Sequence, residues 1–218
     1  MKTIKISSVS HLIELTATDA YNRRIYRGVC DIESHKLIAP IGRRSRWSKS
    51  PLNKITIQER SMLKRFMLEG GLYPPTSTSI WDWMVLARHH GLPGRLLDWS
   101  RNPLIALYFS TEGKNNKDGA VYAEQFSRVA PIQKLFDPFK VNKVSKLIPN
   151  HIHERIKAQA SVLTIHPDPR LAYESKTMIC LVVPGKLKYE IKKTLRRLGV
   201  HQASIFPGLD GVAQNIAD

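Results

Sequence analysis

Residues 87–109 read Ala-Arg-His-His-Gly-Leu-Pro-Gly-Arg-Leu-Leu-Asp-Trp-Ser-Arg-Asn-Pro-Leu-Ile-Ala-Leu-Tyr-Phe, and the run carries its own punctuation. A helix opened by Ser79-Ile-Trp-Asp82, with Trp83, Met84 and Ala87 inward, reaches His90 and stops at Gly91. Gly91–Gly94 turns the chain tightly, and Arg95-Leu-Leu-Asp-Trp99 is short and extended. Asn102 before Pro103 is a cap followed by a first-turn proline, so Leu104–Ser110 is helical. Helix, turn, strand and helix thus follow within about two dozen residues, a mixed α and β pattern.

Working outward, residues 24–30 (Arg-Ile-Tyr-Arg-Gly-Val-Cys) form a β segment, and Pro40–Pro51 is a basic loop. Thr56-Ile-Gln-Glu59 has capping-box spacing and opens a helix with Leu63, Phe66 and Met67 inward, ended by Gly70-Gly71. Residues 73–79 are a loop. Asp118-Gly119 turns into a strand at 120–126, residues 127–150 are poorly patterned and read as a candidate insertion, and Asn150 caps a short helix through Lys157. Strands follow near 161–165 and 177–183. Leu187, Ile191, Leu195 and Leu198 mark one face of a late helix ended by Gly199. The expectation is one α+β domain over 1–218, with a small, strongly bent sheet flanked by helices at 55–69, 79–90 and 186–198.

Composition narrows the function classes. An apolar content of 42% suits a packed core, no apolar run approaches the ~20 residues of a membrane span, and the N-terminus lacks signal-peptide features. Cys30 and Cys180 are too few for a disulfide framework. A cytoplasmic protein is expected. The net charge is +16. Residues 36–65 hold nine basic side chains against Glu59 alone, and Lys186, Lys188, Lys192, Lys193, Arg196 and Arg197 share one amphipathic segment. Such clusters attract RNA or DNA by counterion release; a solvated basic face is the plain alternative. His151-Ile-His153-Glu154 has no metal-site geometry, and neither a phosphate loop nor a nucleophile elbow is present.

The 87–109 run closely resembles the central signature of FRG domains, named for a Phe-Arg-Gly motif that Tyr26-Arg27-Gly28 matches with Tyr for Phe. Gly42-Arg43, Glu59, Asp118-Gly119-Ala120-Val121, Arg155 with Gln159, and Phe206-Pro-Gly-Leu-Asp210 extend the likeness. Arg88 and Gly94 depart from it, standing where the family usually has Gln and Thr. The motif order is also distantly similar to that of ADP-ribosyltransferases: an Arg-Gly on the first core strand, a Ser-bearing segment, then an acid on a later strand. The third element fails here, because Gln159-Ala160-Ser161 has Ser in the acid's place.

That resemblance implies an NAD-consuming transferase acting on a macromolecule, nucleic acid among the candidates, and by analogy a toxin or phage-defence effector with a protein antitoxin or immunity partner. It assigns NAD contact to Tyr26, Arg27, Gly28, Arg95, Trp99, Ser100 and Asn102, and catalysis to Arg27, Ser100, His90, Asp98 and Gln159. In that scheme Arg27 is a fork for pyrophosphate, Gly28 admits the ligand, Ser100 orients the ribose and His89 or His90 is the base. Plainer roles stand beside each. Arg27 is also a partner for Asp98, Arg95 and Asp98 form a buried pair, Asn102 is a helix cap, and Trp99 and one of the histidines belong to the core. The rival functions are a non-catalytic nucleic-acid or nucleotide-binding module and a cofactor-independent nuclease.

Overall fold

The strand expected at 95–99 is the third of seven in a single mixed sheet. A computed structural model describes residues 1–17, 24–75, 79–113, 116–126, 137–150 and 153–217. Its strands are β1 (Lys2–Lys5), β2 (Arg24–Val29), β3 (Leu96–Ser100), β4 (Gly119–Gln125), β5 (Ser145–Leu147), β6 (Ser161–Ile165) and β7 (Ile179–Val183). They lie in the order β1-β7-β4-β2-β3-β6-β5, with β1 parallel to β7 and every other neighbour antiparallel. The helices are α1 (Val9–Thr16), α2 (Ser45–Ser48), α3 (Leu52–Glu69), α4 (Ile80–His89), α5 (Pro103–Thr111), α6 (Glu154–Ala158), α7 (Lys188–Arg197), α8 (Gln202–Ile205) and α9 (Leu209–Ala217). None of the described helices is long and apolar enough to cross a membrane.

Side-chain alternation gives the sheet two apolar faces. Tyr26, Val121, Ala123, Leu181 and Val183 pack under α1, α5 and α7, and Leu96, Leu163 and Ile165 pack under α3, α4 and α6. Ile25, Leu97, Trp99, Tyr122, Val162 and Cys180 fill the opposite face beneath Leu37, Met178 and Tyr173. Burial pushes the Cys180 thiol up to about 11, so it packs as an inert apolar group.

Several expectations are corrected. The sheet is not small: its edge strands come from Lys-Thr-Ile-Lys, almost wholly exposed, and from three residues inside the segment read as an insertion. Neither is long or alternating enough to announce a strand. Residues 127–136 of that segment lie outside the described residues. Helix α3 starts one turn before Thr56, after Pro51, so Thr56 and Glu59 are interior and not a cap. Arg95 takes both: its Nη2 donates to Thr56 Oγ1 at 3.1 Å, its Nε to Glu59 Oε2 at 2.9 Å and its backbone N–H to Glu59 Oε1 at 2.6 Å. Asn150 is not the cap of α6 and donates to the Asp82 carboxylate, while the His153 ring caps α6 by accepting from Arg155 N–H at 3.1 Å. Ser79 and Asn102 do cap α4 and α5.

Gly28 has a structural duty that its sequence position hid. A Cβ there would stand 1.9 Å from the Ala106 carbonyl oxygen and 2.8 Å from Ser110 N, so α5 lies directly on β2. Both obstacles are backbone and cannot rotate away. Gly28→Ala should therefore push α5 off the sheet and cost about 3 kcal/mol, the upper end for overpacking. A urea midpoint matching that of the parent would refute the contact.

Candidate functional site

The central sheet is continuous on either side of a gap. β2 pairs with β4 along all six of its residues, and β3 with β6 along all five. Between β2 and β3 only Tyr26 and Ser100 are paired. Beyond that pair no further residues of the two strands are in register. The Arg27 side chain enters the opening, where Nη1 donates to the Asp98 carbonyl oxygen at 2.5 Å and lies 3.8 Å from Asp98 Oδ2. Here a cavity of about 350 Å³ opens, within the range of small-ligand sites. Tyr26, Arg27, Gly28, Asp98, Trp99 and Ser100 line it from the two strands. Ile105, Ala106 and Phe109 of α5, Arg88 and His89 of α4, Gly91, Arg155, Gln159 and Phe206 complete the wall.

Three guanidinium groups thus line the cavity with one carboxylate. Arg88 grips Asp98 Oδ2 with Nε at 3.1 Å and Nη2 at 2.6 Å. Burial alone would raise the Asp98 carboxyl, but Arg88 and Arg27 outweigh it and hold the group below the usual carboxylate range. Its Oδ1 accepts no hydrogen bond among the described residues. Arg155 Nη1 donates weakly to the His89 carbonyl at 3.4 Å, with its guanidinium 5.7 Å from the Phe206 ring centroid. Burial drives Arg27 down to about 10, with Asp98 opposing and Arg43 and Arg88 adding to the drop. Among the described residues, buried Arg27 Nε, Arg155 Nε and His89 Nε2 have no hydrogen-bond partner. Unmatched donors and surplus positive charge describe a site shaped for an anion.

The candidate residues divide accordingly. Arg27, Asp98, Ser100, Gln159, Tyr26, Gly28 and Trp99 converge on the cavity; Arg95, Asn102 and His90 do not line it. Arg95 does not pair with Asp98, because side chains three apart in an extended segment point to opposite sides. It is buried instead against Glu59, with Phe139 4.7 Å away. Asn102 Oδ1 accepts from Leu104 N–H at 2.9 Å and is occupied as the α5 cap. His90 is exposed and meets His153 edge-on; His89, its neighbour, takes the cavity position. Ser100 Oγ donates to the Gln159 carbonyl at 2.7 Å and accepts from Asn102 N–H at 2.9 Å, bracing β3 against the end of α6. Trp99 directs its ring away to Thr164 Oγ1, 2.9 Å from Nε1. Gly28 meets α5, and its tight packing is there. Arg88 stood in the signature as a departure and was given no role. Arg155, Phe109 and Phe206 lie in stretches that carry the family likeness but were given no role in the site.

One half-buried and one buried histidine, His89 and His166, make stability depend on pH. Burial lowers His89 to about 4 against the pull of Asp98, and burial followed by Arg27 lowers His166 to about 4. An ordinary histidine takes up its proton near pH 6.5. Between those values the unfolded chain binds more protons, so stability should fall as pH drops from about 6.5 towards 4 and hold level above it. Each unit of depression is about 1.4 kcal/mol. Urea midpoints at pH 7.5 and 5 check this, and His89→Asn should remove part of the slope. Equal midpoints would show both rings in contact with water.

An open mixed sheet with an arginine-lined cavity at its central gap defines the class. The family model of the FRG domain matches residues 22–119. The matched stretch contains Arg27, Arg88, His89, Asp98 and Ser100, whereas Arg155, Gln159 and Phe206 follow it. No curated protein and no solved structure matches the chain.

Proposed function

We propose that the cavity binds NAD and transfers its ADP-ribose to a macromolecule. The observation that carries this reading is the set of unmatched guanidinium donors at Arg27 and Arg155 beside the apolar walls of Phe109 and Phe206. A pyrophosphate supplies oxygens for those donors, and a flat ring suits the aromatic wall. In the reaction the bond from ribose C1′ to the nicotinamide nitrogen breaks, its electron pair leaving with nicotinamide. Positive charge grows on the ribose, and an acceptor oxygen or nitrogen then bonds to C1′ and gives up its proton. β6 has Ser161 where the distantly similar ADP-ribosyltransferase motif carries an acid. Asp98, anionic and with Oδ1 uncommitted, is the carboxylate placed to stabilise that charge. Neutral His89 orients or accepts a proton without competing for anions.

The binding-module reading gains from the Arg88–Asp98 ion pair, which ties up half of the carboxylate. A nuclease using the histidine pair has less support, since His89 is neutral at pH 7 and so is no imidazolium acid, and His90 lies off the cavity. Mass spectrometry of RNA, DNA and protein after incubation with and without NAD separates the three. Transfer adds an ADP-ribose mass only when NAD is present. Unchanged acceptors together with intact NAD would leave the binding module, and cleavage without NAD would leave the nuclease.

A further inference from the structure

The cavity at Arg27 continues into the rest of the molecule. Arg155 and Phe206 also line a second, shallower hollow of about 500 Å³ beside α9, bounded by Asp210, Gly211 and Gln214. Gln202 lines that hollow and a third of about 410 Å³, which runs along α7 past Tyr189, Lys192, Lys193 and Arg196. The shared walls set the three in series as a candidate trough, from the gap between β2 and β3, past α8, to the basic face of α7. Seven lysines and arginines line it against two acids, Asp98 and Asp210. Lys192 spends part of its charge on Glu112 at 3.1 Å, and Arg196 donates weakly to the Asn215 carbonyl at 3.4 Å. Lys193 is exposed and makes no hydrogen bond or ion pair among the described residues. The first basic cluster is different: Arg60 is paired with Asp137 and Arg65 with Glu69, and no cation of residues 36–65 lines a hollow of the trough.

We infer that this trough holds a single-stranded nucleic acid, which is the acceptor of the transfer proposed above. A cationic path with aromatic faces set along it suits a strand whose phosphates follow the lysines while bases stack. Tyr189 is 64% exposed at the α7 end, and Phe206 stands where the trough enters the Arg27 cavity. A strand lying on α7 delivers one nucleotide past α8 into that cavity. A duplex cannot offer a base to it without unpairing.

The inference rests on the transferase reading for the acceptor's role, and one pair of measurements separates the two. Fluorescence anisotropy with a labelled 20-nucleotide single-stranded RNA, the matching DNA strand and their duplex measures the trough. Thermal shift with NAD measures the cavity. Lys193→Glu with Arg196→Glu should weaken single-strand affinity more than tenfold and flatten its log–log salt slope by about 1.4, at about 0.7 per phosphate contact. The same variant should keep the full NAD shift. Lys36→Glu with Lys64→Glu, equal in charge change but off the trough, should weaken the strand by less than threefold. Equal loss in both charge variants, or duplex bound as tightly as single strand, would overturn the trough while leaving the NAD reading untouched. Single-strand binding with the predicted loss, but no NAD shift, would overturn the transferase reading and leave the trough as a binding groove.

Discussion

Arg95→Met should lower stability by about 3–5 kcal/mol, the cost of leaving a buried charge without its partner. For a chain of this size that is a fall in Tm of about 6–20 °C. Arg95 is 1% exposed and Glu59 4%, and their contact ties α3 to the start of β3. Arg95 Nη1 also donates to the Pro167 carbonyl at 3.4 Å, bringing in the segment after β6. Burial pushes the Glu59 carboxyl above the usual range even with Arg95 beside it. Without Arg95 that carboxyl is forced further towards its neutral form, so the loss should be greater at pH 8 than at pH 5. Adding Glu59→Gln keeps an acceptor for the Arg95-position N–H and removes the charge, and should recover at least half of the lost stability. Urea unfolding of the parent and the two variants checks this. A single variant within 1 kcal/mol of the parent would mean that the pair contributes nothing beyond its volume.

Arg27→Ala should reduce NAD turnover by a factor of about 100 to 1,000, the range seen when one preorganised donor is removed from a reacting oxyanion or phosphate. Arg27→Lys should recover little, since an ammonium cannot reproduce a two-pronged contact from this position. Tm should change by only a few degrees. Asp98 keeps both of its bonds from Arg88, and water entering the cavity can take over the Asp98 carbonyl. Unfolding as severe as that of Arg95→Met would instead make Arg27 a structural arginine. The two variants therefore distinguish two arginines that the sequence placed in one site.

The sequence spoke clearly where a signal was local. Ser79 and the Asn102-Pro103 pair mark helix starts through bonds made within two residues, and both helices begin there. Thr56 and Glu59 had equally good spacing and misled, because a partner 36 residues away claimed the carboxylate. β1 and β5 were invisible for the same kind of reason. Each owes its existence to hydrogen bonds with a distant strand, and neither has a hydrophobic alternation of its own. In the site, motif order brought Arg27 to Asp98 and Ser100, but the division of labour among neighbours is set by side-chain direction. One residue decides whether His89 or His90 faces the cavity, and three residues of strand put Arg95 on the far side from Asp98. Arg155, on α6, and Phe206, at the end of α8, reach the cavity through the packing of those two helices.

The central claim is that the guanidinium groups at the gap between β2 and β3 bind the pyrophosphate of NAD. Thermal unfolding of parent and Arg27→Ala across a series of NAD concentrations tests it most directly, because a ligand that binds only the folded chain raises Tm with its concentration. The account predicts a rising Tm for the parent, saturable by ADP-ribose, and no rise for Arg27→Ala. A parent Tm indifferent to NAD, or a rise of equal size in both proteins, would contradict it.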